Sequence, residues 1–302
     1  MAHPKLIAIV NPAAKGGSVG DRLMAIRQAL AGEFASGVYQ TLRRGQAMEW
    51  ARTFRDRPGY LVLGGDGTLH EVLAGMDTAA QSLALVPVGT GNSLGRDLGL
   101  PDLAAVLDAV AADRTVKIDV IRAVFRDELG VTQVRVVGAT LALGYPARVT
   151  AYAEEWFKAL GPLCYPVAAA VAAVGIPSFT ASVRLNGARA RRRRMTGLLV
   201  NNARHAGNFA AFPDASLVDG EFDVMELDAG FVRQTLHNLA VLTRTYWIKP
   251  ASQGRARRLS VKPARPVPLM IDGEMYPDVT SLDLTIQPRR LALFVPHGVE
   301  LV

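Results

Sequence analysis

The chain has 302 residues, half of them hydrophobic, so burial is not limiting and two cores of ordinary size are expected. Its single cysteine, Cys164, excludes an internal disulfide and a Cys-rich metal site, which fits a reducing compartment. A net charge of +7 and a pI near 9.8 draw acidic partners (nucleotide, anionic membrane or nucleic acid) without choosing among them.

The N-terminal run Leu6-Ile-Ala-Ile-Val10 is too short for a signal peptide and reads as a first strand buried on both faces of a parallel sheet, so a cytoplasmic protein is expected. Asn11-Pro12 ends that strand. A helical pattern spans about Val19 to Leu30, with Leu23, Ile26, Ala29 and Leu30 on one stripe. A short apolar run at Val38-Tyr39 stops at Thr41, and Arg43 to Phe54 reads as a second helix. Tyr60-Leu-Val-Leu63 is a further strand. It runs into Gly64-Gly-Asp-Gly-Thr68 and then an amphipathic helix to Gly75. Glycines at Gly64, Gly65 and Gly67 let main-chain N–H groups and the helix N-terminus face an anion, and phosphate is the expected one. Leu83 to Pro87 forms another strand. Gly89-Thr-Gly-Asn92 then leads into a short helix ending at Leu98-Gly99, with Pro101 as a stop. Strands alternating with helices predict a doubly wound α/β sheet, with the loops after Val10, Leu63 and Val88 together beyond its carboxyl edge.

Past about Val116 the period changes to two, at Val131–Val137, Ala181–Leu185, Gly197–Val200 and Leu282–Ile286, and Asn186-Gly187 is a hairpin signal. The expected division is an α/β domain over 1–117, with 290–302 as a candidate for completing it, and a β-rich domain over 118–289. A helix is expected over Phe231–Tyr246. Ala159 to Val183 carries no charge, but Pro162, Pro166 and Pro177 break it into pieces far short of the roughly 20 residues that span a bilayer. A buried or lid-like helix is expected there instead.

Neither familiar phosphate motif fits. No glycine loop ends in the Lys-Ser/Thr of a Walker A sequence, and the sixth position of a dinucleotide fingerprint counted from Gly65 is His70 rather than glycine. What remains is Gly64-Gly-Asp-Gly-Thr68, then Pro87-Val-Gly-Thr-Gly-Asn-Ser-Leu-Gly-Arg-Asp-Leu-Gly-Leu-Pro101, then Ile271-Asp-Gly-Glu274. In this order and spacing they resemble the diacylglycerol kinase catalytic-domain family, which includes bacterial lipid kinases and the sphingosine and ceramide kinases. The resemblance starts at Asn11-Pro12. It continues through Asn201-Asn202 and Ala215-Ser-Leu-Val-Asp-Gly-Glu-Phe-Asp-Val224, and so spans nearly the whole chain.

The resemblance implies an N-terminal nucleotide domain, a C-terminal β-sandwich domain and transfer of the ATP γ-phosphoryl group to a lipid hydroxyl, with ATP and Mg²⁺ as cofactors. By resemblance, nucleotide contacts fall on Asn11, Pro12, Ala13, Ala14 and Lys15, on Thr41, and on Gly65, Asp66, Gly67, Thr68, Leu69, His70 and Glu71. They also fall on Gly89, Thr90, Gly91 and Asn92. Phosphoryl transfer needs donors and Mg²⁺ for the phosphates and a carboxylate for the attacking hydroxyl. Asp66, Asp272 and Glu274 are the candidates. An acid among phosphate-binding glycines would repel nucleotide unless it serves a metal or a hydroxyl. Asp272 and Glu274, two apart, share one side of a strand, although a hairpin turn with incidental acids gives the same sequence. Within the family the base has been placed on either motif, and both placements stay open here.

Asp219, with the carbonyls of Ser216 and Glu221, matches a family element that holds a structural Mg²⁺, and a plain Asp-Gly turn reads the same way. Where many relatives have Asn-Glu and Asn-Asp, this chain has His70-Glu71 and Asn92-Ser93, as in the sphingosine and ceramide kinase branch. Lys15 replaces a usual glycine. Arg189, Arg191, Arg192, Arg193 and Arg194 form a cluster after the Asn186-Gly187 turn. A solvated strand edge accounts for it, and so does docking on an anionic membrane. Nucleic-acid binding is disfavoured because no aromatic residue interleaves with the arginines. Two rivals share these motifs: an NAD kinase, against which the Pro87–Pro101 segment argues, and a nucleotide-binding membrane module without catalysis, against which the intact acids argue. Diacylglycerol, a sphingoid base, ceramide or another lipid alcohol would each serve as acceptor.

Overall fold

A computed structural model of the chain describes residues 5–14, 20, 23–30, 34–89, 91–100, 102–157, 160, 164–173, 178–206, 209–228 and 252–299. Lys15, Thr90 and the expected helix over Phe231–Tyr246 lie outside the described residues.

The first half runs β1 (Leu6–Val10), α1 (Leu23–Leu30), β2 (Ala35–Gln40), α2 (Gln46–Thr53), β3 (Gly59–Gly64), α3 (Asp66–Gly75), β4 (Ser82–Pro87), α4 (Ser93–Asp97) and α5 (Leu103–Ala111). The strands pair in parallel in the order β2-β1-β3-β4. Alternate residues sort to opposite faces because the strand period is two. Leu6, Ala8, Leu61 and Leu63 pack with Leu30 of α1 and Val106 and Val110 of α5. Ile7, Ile9, Tyr60 and Val62 pack with Ala47 and Ala51 of α2 and Val72 and Leu73 of α3. Helices therefore cover both faces, which is why these strands read as unbroken apolar runs, and each buried aliphatic side chain contributes about 1.5–3 kcal/mol.

The second half runs β5 (Thr115–Asp127), β6 (Thr132–Val137), β7 (Thr140–Gly144), α6 (Tyr145–Glu155), α7 (Cys164–Ala173), β8 (Phe179–Leu185) and β9 (Arg191–Asn201). It continues with β10 (His205–Ala206), β11 (Phe209–Ala210), β12 (Phe222–Asp228), β13 (Ser252–Ala256), β14 (Arg258–Pro263), β15 (Val267–Ile271) and β16 (Glu274–Phe294). Antiparallel pairing encloses a separate core that includes Phe125, Leu141, Phe179, Leu198, Phe222, Leu269 and Leu282. Asn186 and Gly187 both have positive φ, 48° and 74°, as a two-residue hairpin turn joining β8 to β9 requires.

No linker divides the halves, because Lys117 lies inside β5. Two long strands belong to both cores. Ile118 and Val120 of β5 and Leu291 and Leu293 of β16 pack in the first half, whereas Ala123, Phe125, Leu282 and Leu284 pack in the second. The end of β16 also extends the parallel sheet, with Ala292 and Leu293 beside Ser82 and Leu83 of β4. Register breaks between Gln287 and Leu291, where Arg289 has φ +48°. The fully buried Asp119 closes this bulge: its carboxylate accepts the N–H groups of Arg289 and Gly220, both at 2.6 Å.

The uncharged segment contains α7, whose Ala169 carbonyl accepts the Tyr145 hydroxyl of α6 at 2.9 Å. No described helix is long and apolar enough to cross a membrane. Arg191 to Arg194 begin β9 as exposed residues paired with Val183 to Thr180 of β8.

Candidate active site

The loops after β1, β2, β3 and β4 meet at the carboxyl edge of the parallel sheet, and the strand order reverses direction between β1 and β3, the place where such folds bind ligands. Asn11 bridges this switch point, its amide donating to Thr68 Oγ1 at 3.0 Å while its carbonyl oxygen accepts Ala13 N–H at 3.0 Å. The two glycine loops touch backbone to backbone. A Cβ on Gly89 would lie 2.5 Å from Gly65 Cα, which leaves no room for a side chain at Gly89, and one on Gly65 would lie a tight 3.1 Å from Gly89 Cα. Asn92, left-handed at φ 52°, holds the second loop closed by accepting Gly89 N–H at 2.9 Å and donating to Gly89 O at 2.6 Å. The first intrahelical bond of α3 runs from Leu69 N–H to Gly65 O, so the N–H groups of Asp66, Gly67 and Thr68 have no acceptor within the helix. Together the glycines and this helix end form a cradle suited to phosphate oxygens.

Three acids come to this crevice, each in a different state. Asp66, the first residue of α3, accepts Ser93 N–H at 2.8 Å. Burial, and then the charge of Asp272, push its pKa up to about 6 against the pull of the Ser93 and Asn92 N–H groups. Asp272 sits in the β15–β16 turn at φ +48° with its carboxylate saturated. Oδ1 accepts the N–H groups of Ala139 and Thr140, and Oδ2 accepts that of Gly138, all at 2.9 Å, with His70 Nδ1 at 3.4 Å. With both oxygens taken by donors, Asp272 has no site left for a hydroxyl proton. Glu274 is different. It is a quarter exposed and lies over the cradle, where a Cβ on Gly67 would meet its Oε1 at 2.6 Å.

The remaining expected contacts divide. Asn11, Gly65, Gly67, Gly89 and Asn92 line the crevice as described above. Ala14 N–H bonds to Asn11 O and Pro12 O accepts Gly20 N–H, so this loop is tied to itself. Thr41 N–H closes on Val10 O beside it, and Gly91 precedes α4. By contrast, the side chains of Leu69, His70 and Glu71 are committed to the protein. Leu69 is buried in the apolar core. His70 is buried between Asp272 and Tyr276. Glu71 accepts Gly45 N–H at 2.7 Å and Ala47 N–H at 3.0 Å, capping α2. The side chains of all three are thus taken up within the protein itself.

In the Asp-Gly loop the side chains are already partnered. Ser216 Oγ accepts Val218 N–H, Asp219 Oδ1 accepts Glu221 N–H, and Arg255 approaches Asp219 at 3.8 Å and Asp223 at 3.7 Å. Arg257 lies 3.4 Å from Glu221. Among the described residues no group of three or more His, Cys, Asp or Glu side chains could hold a metal ion.

Sequence reasoning missed several participants. Arg44, exposed on the loop between β2 and α2, reaches to 3.6 Å from Glu274 and brings a cation to the mouth of the crevice. The Arg43-Arg44 pair, which begins two residues past Thr41, was the available signal. Tyr276, two residues past Glu274, and Arg135 of β6 form a half-buried extension of the His70 contact. Asp97 of α4 receives the N–H of Arg204 at 2.5 Å and the imidazole of His205, joining the second glycine loop to the other half of the chain. No local pattern reports these last contacts, since Asp97 and His205 are 108 positions apart.

Comparison with known proteins agrees with this fold. Residues 5–123 match the diacylglycerol kinase catalytic domain, and residues 139–295 match the YegS C-terminal NAD kinase beta sandwich-like domain. The diacylglycerol kinase of Staphylococcus carnosus (strain TM300) is 26% identical over 278 residues, covering 88% of this chain and 87% of that one. That of Staphylococcus haemolyticus (strain JCSC1435) is 25% identical over 249 residues, covering 80% and 73%. Among solved structures, a diacylglycerol kinase from Bacillus anthracis str. Sterne shares the fold with TM-score 0.77 at 18% identity, covering 99% of each chain. An NAD kinase from Archaeoglobus fulgidus in complex with ATP shares it more distantly, with TM-score 0.55 at 12% identity and coverage of 96% and 94%. The two matched ranges between them take in the glycine cradle and, in the antiparallel half, Asp272 and Glu274, and the chain belongs to the diacylglycerol kinase catalytic-domain family.

Proposed function

We propose that the protein transfers the γ-phosphoryl group of ATP to the hydroxyl of a membrane lipid. The observation that carries this reading is Asp66, a buried carboxylate at the end of a phosphate cradle with its pKa raised to about 6. A general base works best when its pKa lies near the working pH. At pH 7 Asp66 is largely ionised yet holds a proton more readily than an exposed aspartate, which suits it to take the proton of an attacking hydroxyl. Asp272 keeps that base poised by adding negative charge nearby while its own oxygens stay occupied. Glu274 and Arg44 face the open side, where the guanidinium can neutralise phosphate oxygens and the carboxylate offers hard oxygen donors. Mg²⁺ commonly binds through one or two carboxylates together with substrate phosphates, so Asp66 and Glu274 fit such an ion without a dedicated cage; bound with ATP, it would neutralise charge on the transferring group.

The lipid reading also draws on the uncharged segment that contains α7, where Leu160 and Val171 are exposed, on the exposed Trp156 just before it, and on the arginines that begin β9. We infer peripheral association with an anionic membrane from the cytoplasmic side, with each basic residue near the surface adding about 1 kcal/mol. Labelled ATP offered with diacylglycerol, a sphingoid base, ceramide and NAD tests the proposal. One labelled lipid is expected. Labelling of NAD alone would make the protein an NAD kinase, and labelling of nothing would leave a non-catalytic binding module. Liposome binding indifferent both to anionic lipid and to replacement of Arg191–Arg194 would remove the docking surface.

A further inference from the structure

His70 ties together the two elements that carry the acids of the site. On α3 it stands one turn after Asp66, and its ring lies against the start of β16. Its Nδ1 is 3.4 Å from Asp272 Oδ2 and its Nε2 is 2.6 Å from the Tyr276 hydroxyl. Asp272 and Tyr276 flank Glu274 at spacing two on either side. The imidazole therefore grips the β16 segment immediately before and after Glu274, while its own helix carries Asp66.

The hydrogen bonds also give this link a direction. Arg135 Nε lies 3.0 Å from the Tyr276 oxygen, and a guanidinium only donates, so the phenol oxygen accepts there. Among the described residues the remaining partner of the phenol is His70 Nε2. Aimed at a bare Nε2, the phenol hydrogen has an acceptor, whereas an Nε2–H would leave it without one among the described residues. A neutral imidazole with a bare Nε2 carries its proton on Nδ1, aimed at Asp272, whose other contacts are all donors as well. The chain Arg135→Tyr276→His70→Asp272 thus runs one way, from a fixed cation to a fixed carboxylate.

We propose that His70 is a positioning residue, held by Tyr276 and Arg135 as the neutral Nδ1–H tautomer, and that this contact sets the placement of Asp66 relative to Glu274. The proposal rests on reading the crevice as a phosphoryl-transfer site. Misplacing a reacting group by about 1 Å can cost on the order of a hundredfold in rate without weakening ground-state binding. His70→Leu should therefore lose about 100-fold in kcat while KM for ATP changes less than about threefold. His70→Asn places an amide N–H where Nδ1–H stood and should recover most of the rate. Tyr276→Phe leaves Arg135 Nε without its acceptor and frees the tautomer.

The test is nitrogen NMR of the full chain with ¹⁵N-labelled histidine, paired with steady-state kinetics of the three variants. The expected spectrum shows His70 Nε2 unprotonated and Nδ1 protonated, with the pattern changed in Tyr276→Phe. An imidazolium or an Nε2–H tautomer in the unsubstituted protein overturns the proposal, as does His70→Leu with kcat unchanged, or His70→Asn no better than His70→Leu. Where the lipid panel yields no product, kcat is read on transfer to water. A blank panel then counts against the lipid acceptor alone, while the spectrum and the water reaction still judge His70.

Discussion

Replacing Asp66 by asparagine separates the catalytic from the structural consequences of its burial. The folded protein holds the Asp66 proton more tightly than the unfolded chain does, with the pKa raised from 3.8 to about 6. Stability linked to this group is therefore fully present below pH 4 and is lost as pH rises through 6. A shift of about two units corresponds to roughly 3 kcal/mol at pH 8, where the buried carboxylate is ionised. Asparagine keeps an oxygen for Ser93 N–H without the charge. Asp66→Asn should match the parent protein at pH 4 and exceed it by about 2–3 kcal/mol at pH 8, which at this chain length raises Tm by about 5 °C. The same variant should lose about 10²-fold or more in kcat. Chemical denaturation at a series of pH values and a kinase assay read the two effects. A stability difference that stays flat with pH, or a variant that is stable and still fully active, would refute the assignment of Asp66 as a strained buried base.

Other substitutions probe the cradle and its supports. Gly67→Ala drives a methyl group toward Glu274 Oε1, the far end of a flexible side chain, so thermal melting should change little while kcat/KM falls about tenfold. Gly89→Ala meets the Gly65 backbone instead, and the loops must part; titration calorimetry should show ATP affinity reduced at least about tenfold. Glu71→Ala leaves the N–H groups of Gly45 and Ala47 without their acceptor and should cost about 1–2 kcal/mol in urea unfolding. Because Arg255 already stands beside Asp219 and Asp223, chelation by EDTA should leave Tm within about 1 °C, a smaller change than the loss of a bound structural ion would give.

The parallel strands and glycine loops were legible because their determinants are local. Leu6–Val10 and Tyr60–Leu63 declare burial on two faces, and Gly65 and Gly89 mark where backbone must meet backbone. The hairpin at Asn186-Gly187 was equally plain, since a turn with two positive φ values admits few residue types. What escaped the sequence was how acids with similar motifs differ. Asp272 is saturated by N–H groups 132 to 134 positions away, whereas Asp66 is buried with fewer donors, and only the fold brings those distances together. Leu69, His70 and Glu71 share a motif with the cradle glycines, yet the helical turn carries their side chains to the protein's interior and to α2. The change of period near Lys117 was legible too, whereas the continuity of β5 through that point was not, because a strand that passes from one core to the other leaves no break in composition.

That continuity bears on how the molecule can be taken apart. With β5 and β16 threaded through both cores, the α/β half cut out as residues 5–117 would keep β4 but lose Ala292 and Leu293 beside it, exposing a sheet edge and the apolar surface that Leu291, Leu293 and Val295 cover. Such a fragment would be prone to aggregation, and the intact chain should melt in one calorimetric transition rather than two. The family's two regions are inseparable in this chain: the strands that deliver Glu274 to the cradle also hold the cradle's sheet closed.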